Sequence, residues 1–136
     1  MVSRGDDDNL VGVKGAEGIV DRLERLVVAD LAGGVDAAVI ISDTFGRAWR
    51  EGQTDIAIGV AGIQPILSYI GQVDPHGHEF KVQAICTVDE LTGAAELVKG
   101  NVSRVPVAVI RGFQFDIDDA AVIAPVLRDQ TRDLFR

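Results

Sequence analysis

The nine residues "SDTFGRAWR", Ser42 to Arg50, concentrate hydroxyls, a carboxylate and two guanidinium groups in one short stretch. A carboxylate and a hydroxyl oxygen, as on Asp43 and Thr44, suit a hard cation such as Mg²⁺ or Mn²⁺. Arg47 and Arg50, four and seven residues beyond Asp43, can pair bidentately with phosphate or carboxylate. The competing reading is structural: Ser, Asp and Thr are ordinary turn formers, so Asp43 can cap a turn while the arginines make surface ion pairs. For a strand-end Asp taken alone that structural reading is the commoner one, but what precedes the cluster makes Asp43 a candidate. "DAAVIIS" is a continuous apolar run ending at a polar residue, short enough for a strand covered on both faces. It sets Asp43 and Thr44 at a strand's carboxyl end, where sheet proteins present ligands in crevices.

Other polar groupings carry less. "DPHGHE" places His76 and His78 beside Asp74 and Glu79, a set that can bind a metal. Its Pro and Gly read as an exposed loop. Asp89 and Glu90 at a helix start form a carboxylate pair open to acid–base or metal work, although negative charge there is also ordinary capping and dipole chemistry, with Asp89 as N-cap. Capping is the favoured reading. No G-x-x-x-x-G-K-[ST] is present, and the glycines after Gly12 form no strand-to-helix G-x-G-x-x-G. Any bound nucleotide is therefore held by some other device. No nucleophile elbow pairs a serine with histidine, and Trp49 alone makes no stacking platform.

The elements that must position these residues follow from periodicity. In "GAEGIVDRLERLVVADLAGG", Ile19, Leu23, Leu26, Val27 and Leu31 recur at helical spacing until Gly33-Gly34. "DIAIGVAG" is a second strand, and "IQPILSYIGQ" carries Pro65 where a short helix can begin. "EFKVQAICTV" reads as a strand that buries Cys86, "VDELTGAAELVKG" as a helix ended by Gly100, and "VPVAVIRGF" as another buried strand. "DIDDAAVIAPVLRDQTRDLFR" reads as a final helix complicated by Pro125. The expected architecture is α+β: one mixed α and β domain over residues 15–136, with buried strands flanked by helices and a poorly ordered acidic N-terminus over residues 1–14.

Composition bounds the partners. A chain of 136 residues with 47% apolar residues can build one core. Its net charge of −8 excludes a nucleic acid or an anionic membrane as principal partner, because both require clustered Lys and Arg. One cysteine allows no internal disulfide and fits a reducing cytosol. The acidic start "MVSRGDDDNLVG" has no export signal, and no run reaches the roughly 18 apolar residues of a membrane span. A cytoplasmic protein is expected.

Three ordered blocks then carry a resemblance. "VIISDTFGRAWREGQTDIAIGVAGIQPIL", "DPHGHEFKVQAICTVDELTGAAELVKG" and "VPVAVIRGF" resemble the C-terminal half of the coenzyme F420-0:γ-glutamyl ligase family, from about Gly34 to Phe113. The most specific element is S-D-T-x-G-R-x-W-R leading into A-I-G-x-A-G, and the "GQTD" wording is most similar to the actinobacterial type. The resemblance implies a GTP-dependent ligase that joins the amino group of L-glutamate to the deazaflavin precursor through an acyl phosphate. It further implies a divalent metal (Mg²⁺ or Mn²⁺), a monovalent cation (K⁺), and a homodimer or a separate N-terminal half. Asp43 and Thr44 match the family's metal-binding step. The segment Lys99, Gly100, Asn101 and Val102 matches its nucleotide-contacting loop, with Asn101 where a Gln oxygen often serves as metal ligand. Lys99 can meet a phosphate or complement the helix C-terminus, and Gly100 can simply end the helix. Arg47 and Arg50 are candidates for phosphate or substrate carboxylate on physical grounds alone. "DPHGHEF" departs from the family's D-x-Y-G-R-E-L, and "MVSRGDDDNLVGVKG" has no G-V-D-x-S-N stretch. The expected alternative is a non-catalytic remnant or a dimer-scaffold and binding module.

Overall fold

The computed structural model describes residues 10–15 and 37–132. A four-stranded sheet in the order β3-β2-β1-β6 forms its centre. β1 is Leu10–Gly15, β2 Ala37–Gly46, β3 Gln53–Ala61 and β6 Val107–Arg111. β1 runs parallel to β2 and antiparallel to β6, while β2 and β3 form an antiparallel hairpin. A small ribbon pairs β4, Ile66–Ser68, with β5, Ala84–Cys86. Among the described residues one α-helix, α1, Thr87–Lys99, packs on the sheet. The α+β class expected from the sequence is the one observed.

β2 is interior because its apolar run leaves no polar face. Ala38, Val39, Ile40 and Ile41 are all buried, as a strand covered on both sides requires. The core lies on one of those sides, where Ala38 and Ile40 meet Ala57 and Val60 of β3, Val88, Leu91 and Ala95 of α1, and Ala108 of β6. Ala57 and Val60 are three apart, an odd step that would put them on opposite faces of a regular strand. The register shift between Ile41 and Ser42, which pair with Gly59 and Ala57, places one extra β3 residue there. This bulge keeps both side chains on the core face.

Several elements differ from expectation. Residues 10–14, assigned above to a poorly ordered terminus, belong to β1, whose backbone is paired on both sides. Leu10, Val11 and Val13 are β-formers, and pairing with β2 and β6 decides the outcome. β2 continues past Ser42 to Gly46, so Asp43 and Thr44 lie within the strand rather than beyond its end. Ile66–Ser68 is a strand, not the start of a helix at Pro65. The stretch "EFKVQAICTV" is a strand only over Ala84–Cys86. The C-terminal segment forms two 3₁₀ turns, Ala124–Val126 and Gln130–Arg132, in place of a helix. Pro125 has no N–H to donate and disfavours helical backbone at the preceding residue. Asp118 and Asp129 accept local backbone N–H bonds that compete with a helix. The helix expected between Gly15 and Gly34 and the tail at 133–136 lie outside the described residues. No helix among the described residues is long and apolar enough to cross a membrane.

The chain leaves β3 through Gly62, at φ 76°, where an added Cβ would stand 2.9 Å from the Ala37 carbonyl oxygen. Both the left-handed backbone and the close approach demand glycine. Gly62→Ala is expected to destabilise the fold by about 2 kcal/mol, read as a lower urea midpoint at unchanged m-value. An unchanged midpoint would show that this turn can relax.

Candidate functional site

The alternation that buries Ala38 and Ile40 brings Ser42 and Thr44 to the same face of β2 as it continues toward Gly46. Opposite them in the register stand Ala57 and Asp55 of β3. Above that face runs α1, whose last-turn Lys99 is only 5% exposed. The result is a buried polar cluster at the end of the core. The Ser42 hydroxyl donates to Asp55 Oδ2 at 2.9 Å, and the Lys99 ammonium donates to the same oxygen at 3.1 Å and to Ser42 Oγ at 3.0 Å. The Thr44 hydroxyl donates to the other carboxylate oxygen, Asp55 Oδ1, at 3.3 Å. No buried side-chain polar atom among the described residues lacks a partner.

The backbone of Asp55 is tied as firmly. Its N–H donates to Glu96 Oε2 at 2.9 Å and its carbonyl accepts from the buried Thr92 hydroxyl at 3.2 Å. Two residues along, the Ala57 N–H donates to Asp89 Oδ1 at 2.9 Å. Asp89 therefore does not cap its own helix, contrary to the capping read from sequence. α1 has Cys86 at its N-cap position with no side-chain cap, and Asp89 serves an edge-strand N–H of β3 instead. Negative charge in the first turn still complements the helix dipole.

The sequence-selected residues separate into three places. Asp43 is exposed on the face of β2 opposite Thr44, and its Oδ1 accepts the Thr44 backbone N–H at 2.8 Å. Thr44 is half-buried above Asp55. Adjacent strand residues point to opposite sides, so the Asp43 carboxylate and the Thr44 hydroxyl serve different positions. Lys99 lies beneath Thr44, bound to Asp55; its ammonium meets neither a helix carbonyl nor open solvent. Gly100, at φ 58°, ends α1 and turns the exposed Asn101 and Val102 outward. Because Lys99 reaches Asp55, this loop and Thr44 share one end of the molecule. Arg47, Trp49 and Arg50 form the exposed β2–β3 tip, with Trp49 at the left-handed φ of 59°.

Asp55 is the residue that sequence reasoning missed. Its signal was present in the spacing: it follows "GQT" at the start of β3, and a hairpin over 39–61 pairs it with Thr44. The buried Ser42 and Lys99 outwardly resemble a nucleophile and its base. However, Ser42 has no exposed surface, and Lys99 Nζ is engaged by Asp55 Oδ2. This serine cannot meet a substrate.

The oxygen donors of Asp43, Thr44 and Asn101 fit Mg²⁺ or Mn²⁺ in kind. They fall short in number, since among the described residues no three His, Cys, Asp or Glu side chains converge on one point. His76 and His78 follow the loop reading: both backbone N–H groups donate to Asp74 Oδ1 at 2.8 Å, in an exposed hairpin arm. Cys86 is half-buried, and desolvation pushes its thiol from 9.0 up to about 11. The Asp89 backbone N–H works against this rise, and the Asp89 and Glu90 carboxylates add to it.

Two outcomes follow. Lys99→Ala strands a buried carboxylate and is expected to cost about 3–5 kcal/mol, whereas Ser42→Ala/Asp55→Leu/Lys99→Met, which removes every charge, is expected to fall within about 1 kcal/mol of the parent by urea denaturation. Equal losses in both would show that the pair supplies net stability. Cys86 keeps its proton in the folded chain between pH 9 and about 11, while the unfolded chain loses it. Its contribution to stability is therefore complete below pH 9 and is lost as pH rises through that window. At pH 8, iodoacetamide should label it about 10-fold more slowly than in urea; equal rates would exclude a protected thiol.

The family model for F420-0:Gamma-glutamyl ligase matches residues 15–112. Coenzyme F420:L-glutamate ligase of Methanothermobacter thermautotrophicus is 40% identical over 107 residues, covering 77% of this chain and 42% of that protein. The proteins of the same name from Methanosarcina barkeri and Methanopyrus kandleri are 38% and 35% identical over 104 and 119 residues, covering 76% and 85% of this chain and 41% and 45% of theirs. The chain thus spans less than half the length of these relatives. The matched residues contain β2, β3, α1 and the whole Asp55 cluster, and the chain belongs to the F420-0:gamma-glutamyl ligase family.

Proposed function

We propose that this chain is the C-terminal part of a GTP-dependent ligase that joins L-glutamate to the coenzyme F420 precursor, working in the cytoplasm with an N-terminal half on another chain. The observation that carries the reading is the β2–β3 hairpin end. It presents Asp43, Thr44, Arg47 and Arg50 within eight residues, beside the loop Gly100 to Val102.

The chemistry asked of such a site is amide formation from a carboxylate, which is a poor acyl donor. Transfer of the γ-phosphoryl group of GTP to that carboxylate gives an acyl phosphate, and attack by the glutamate amine releases phosphate and leaves the amide. Asp43 and Thr44, each on its own face, would hold a divalent cation, which with K⁺ would neutralise crowded phosphate oxygens there. Asp43 offers the carboxylate oxygen not engaged by the Thr44 N–H. Thr44 offers a neutral oxygen on the other face, and Asn101, with a second neutral oxygen, forms with Gly100 and Val102 the exposed loop for the nucleotide. Lys99 holds this loop from beneath, through Asp55. Arg47 and Arg50 are placed to pair with the carboxylates or phosphate of the substrates.

A second reading is favoured by exposed apolar residues. Val105, Val107 and Val109 lie on or beside edge strand β6, and Leu97, Val98 and Val102 are exposed at the end of α1. Such surfaces suit association, either as a homodimer or as a non-catalytic scaffold module.

The two readings part on activity. The chain is mixed with GTP, L-glutamate, the F420 precursor and Mn²⁺, alone and with the separately produced N-terminal half of a relative. Amide product is expected only in the complemented mixture, with loss on adding EDTA and a fall of about 100-fold in Asp43→Asn. No product in any mixture would favour the scaffold module, and turnover by the chain alone would remove the need for a second half.

A further inference from the structure

We infer that Asp55 is a positioning residue that fixes the direction of the Thr44 hydroxyl, with Lys99 as its buried counter-ion. This rests on the reading of Thr44 as an oxygen ligand at a metal and phosphate site. The argument is one of donors and acceptors. A threonine hydroxyl has one proton and two lone pairs, and an ionised carboxylate can only accept. With Oδ1 of Asp55 at 3.3 Å, Thr44 spends its proton inward and turns its lone pairs away from the cluster, toward the half-exposed side where a cation would bind.

Asp55 is held for this task at every polar atom. Oδ2 takes the Ser42 hydroxyl and the Lys99 ammonium, the backbone N–H goes to Glu96, and the carbonyl takes Thr92. The Lys99–Asp55 distance of 3.1 Å, with both side chains under 10% exposed, makes the pair locally neutral. It directs the hydroxyl without adding net charge to the cation position. Ion pairs this buried are seldom retained for stability alone. Outer partners of this kind typically tune metal affinity by 10- to 100-fold.

The test uses Mn²⁺ alone as probe, its binding to the purified chain followed by electron paramagnetic resonance, with circular dichroism as the control for folding. Asp43→Asn reports on metal binding at the opposite face of β2, Thr44→Val on the ligand at the positioned hydroxyl, and Ser42→Ala/Asp55→Leu/Lys99→Met on the positioning. Thr44→Val and the triple variant are each expected to weaken Mn²⁺ by about 10-fold, and their combination to weaken it no further, because both remove the same oriented oxygen. Asp55→Asn/Lys99→Met keeps an amide oxygen for Thr44 and an amide N–H for Ser42, and should restore binding to within about 2-fold of the parent. If Asp43→Asn weakens binding while Thr44→Val and the triple variant act independently, or the amide variant gives no rescue, Asp55 is structural only and the metal reading stands. If Mn²⁺ fails to bind the parent saturably, or binds unchanged in both Asp43→Asn and Thr44→Val, the metal reading falls and this role falls with it.

Discussion

The ion pair between Asp55 and Lys99 joins the three elements on which the rest of the site depends. Asp55 stands on β3, Lys99 closes α1, and Ser42 and Thr44 reach the same carboxylate from β2. Burying a charge is costly unless it is paired and its remaining bonding capacity is filled. Both conditions are met here, and the geometry that meets them leaves little freedom. A shift of the helix along the sheet would separate the ammonium from the carboxylate and strand both. The last turn of α1 is thereby registered against the hairpin, and the loop that begins at Gly100 is registered with it.

The acidic residues of the same helix extend this registration along the sheet edge. β3 is an edge strand, whose outward N–H groups would otherwise be open to pairing with another chain. Glu96 takes the N–H of Asp55 and Asp89 that of Ala57, so two carboxylates seven residues apart cover alternate positions of the edge. The apolar stripe of Val88, Leu91 and Ala95 packs inward from the same helix. One element supplies core, edge cover and counter-ion together. The opposite edge, β6, keeps Val107 and Val109 exposed, which suits a chain that spans less than half the length of its relatives.

The split of Asp43 and Thr44 between two faces gives the hairpin end its chemical character. On one face stands the exposed Asp43 carboxylate; on the other the Thr44 hydroxyl donates to the buried Asp55–Lys99 pair. Two cationic guanidinium groups stand at the tip of a chain whose net charge is −8. A net charge constrains the bulk surface, while a local site answers to the few groups within a Debye length.

Much of this was legible from residue order. The run Ala38 to Ile41 identified an interior strand, the spacing of Val88, Leu91 and Ala95 a helix, Gly100 its end, and "SDTFGRAWR" the family, because local periodicity and motif identity are properties of the chain itself. Tertiary structure decided the rest. Whether β2 stopped at Ser42 or ran on to Gly46 depended on β3 pairing with it, and the outer face of β3 decided that Asp89 would bond Ala57 rather than cap its helix. Pro125 and the competing Asp118 and Asp129 removed a helix that composition favoured. Above all, Lys99 lies 44 residues from Asp55 and 57 from Ser42; no local pattern records a partner at that distance, since only the packing of α1 across the hairpin brings the charges together and makes either one tolerable.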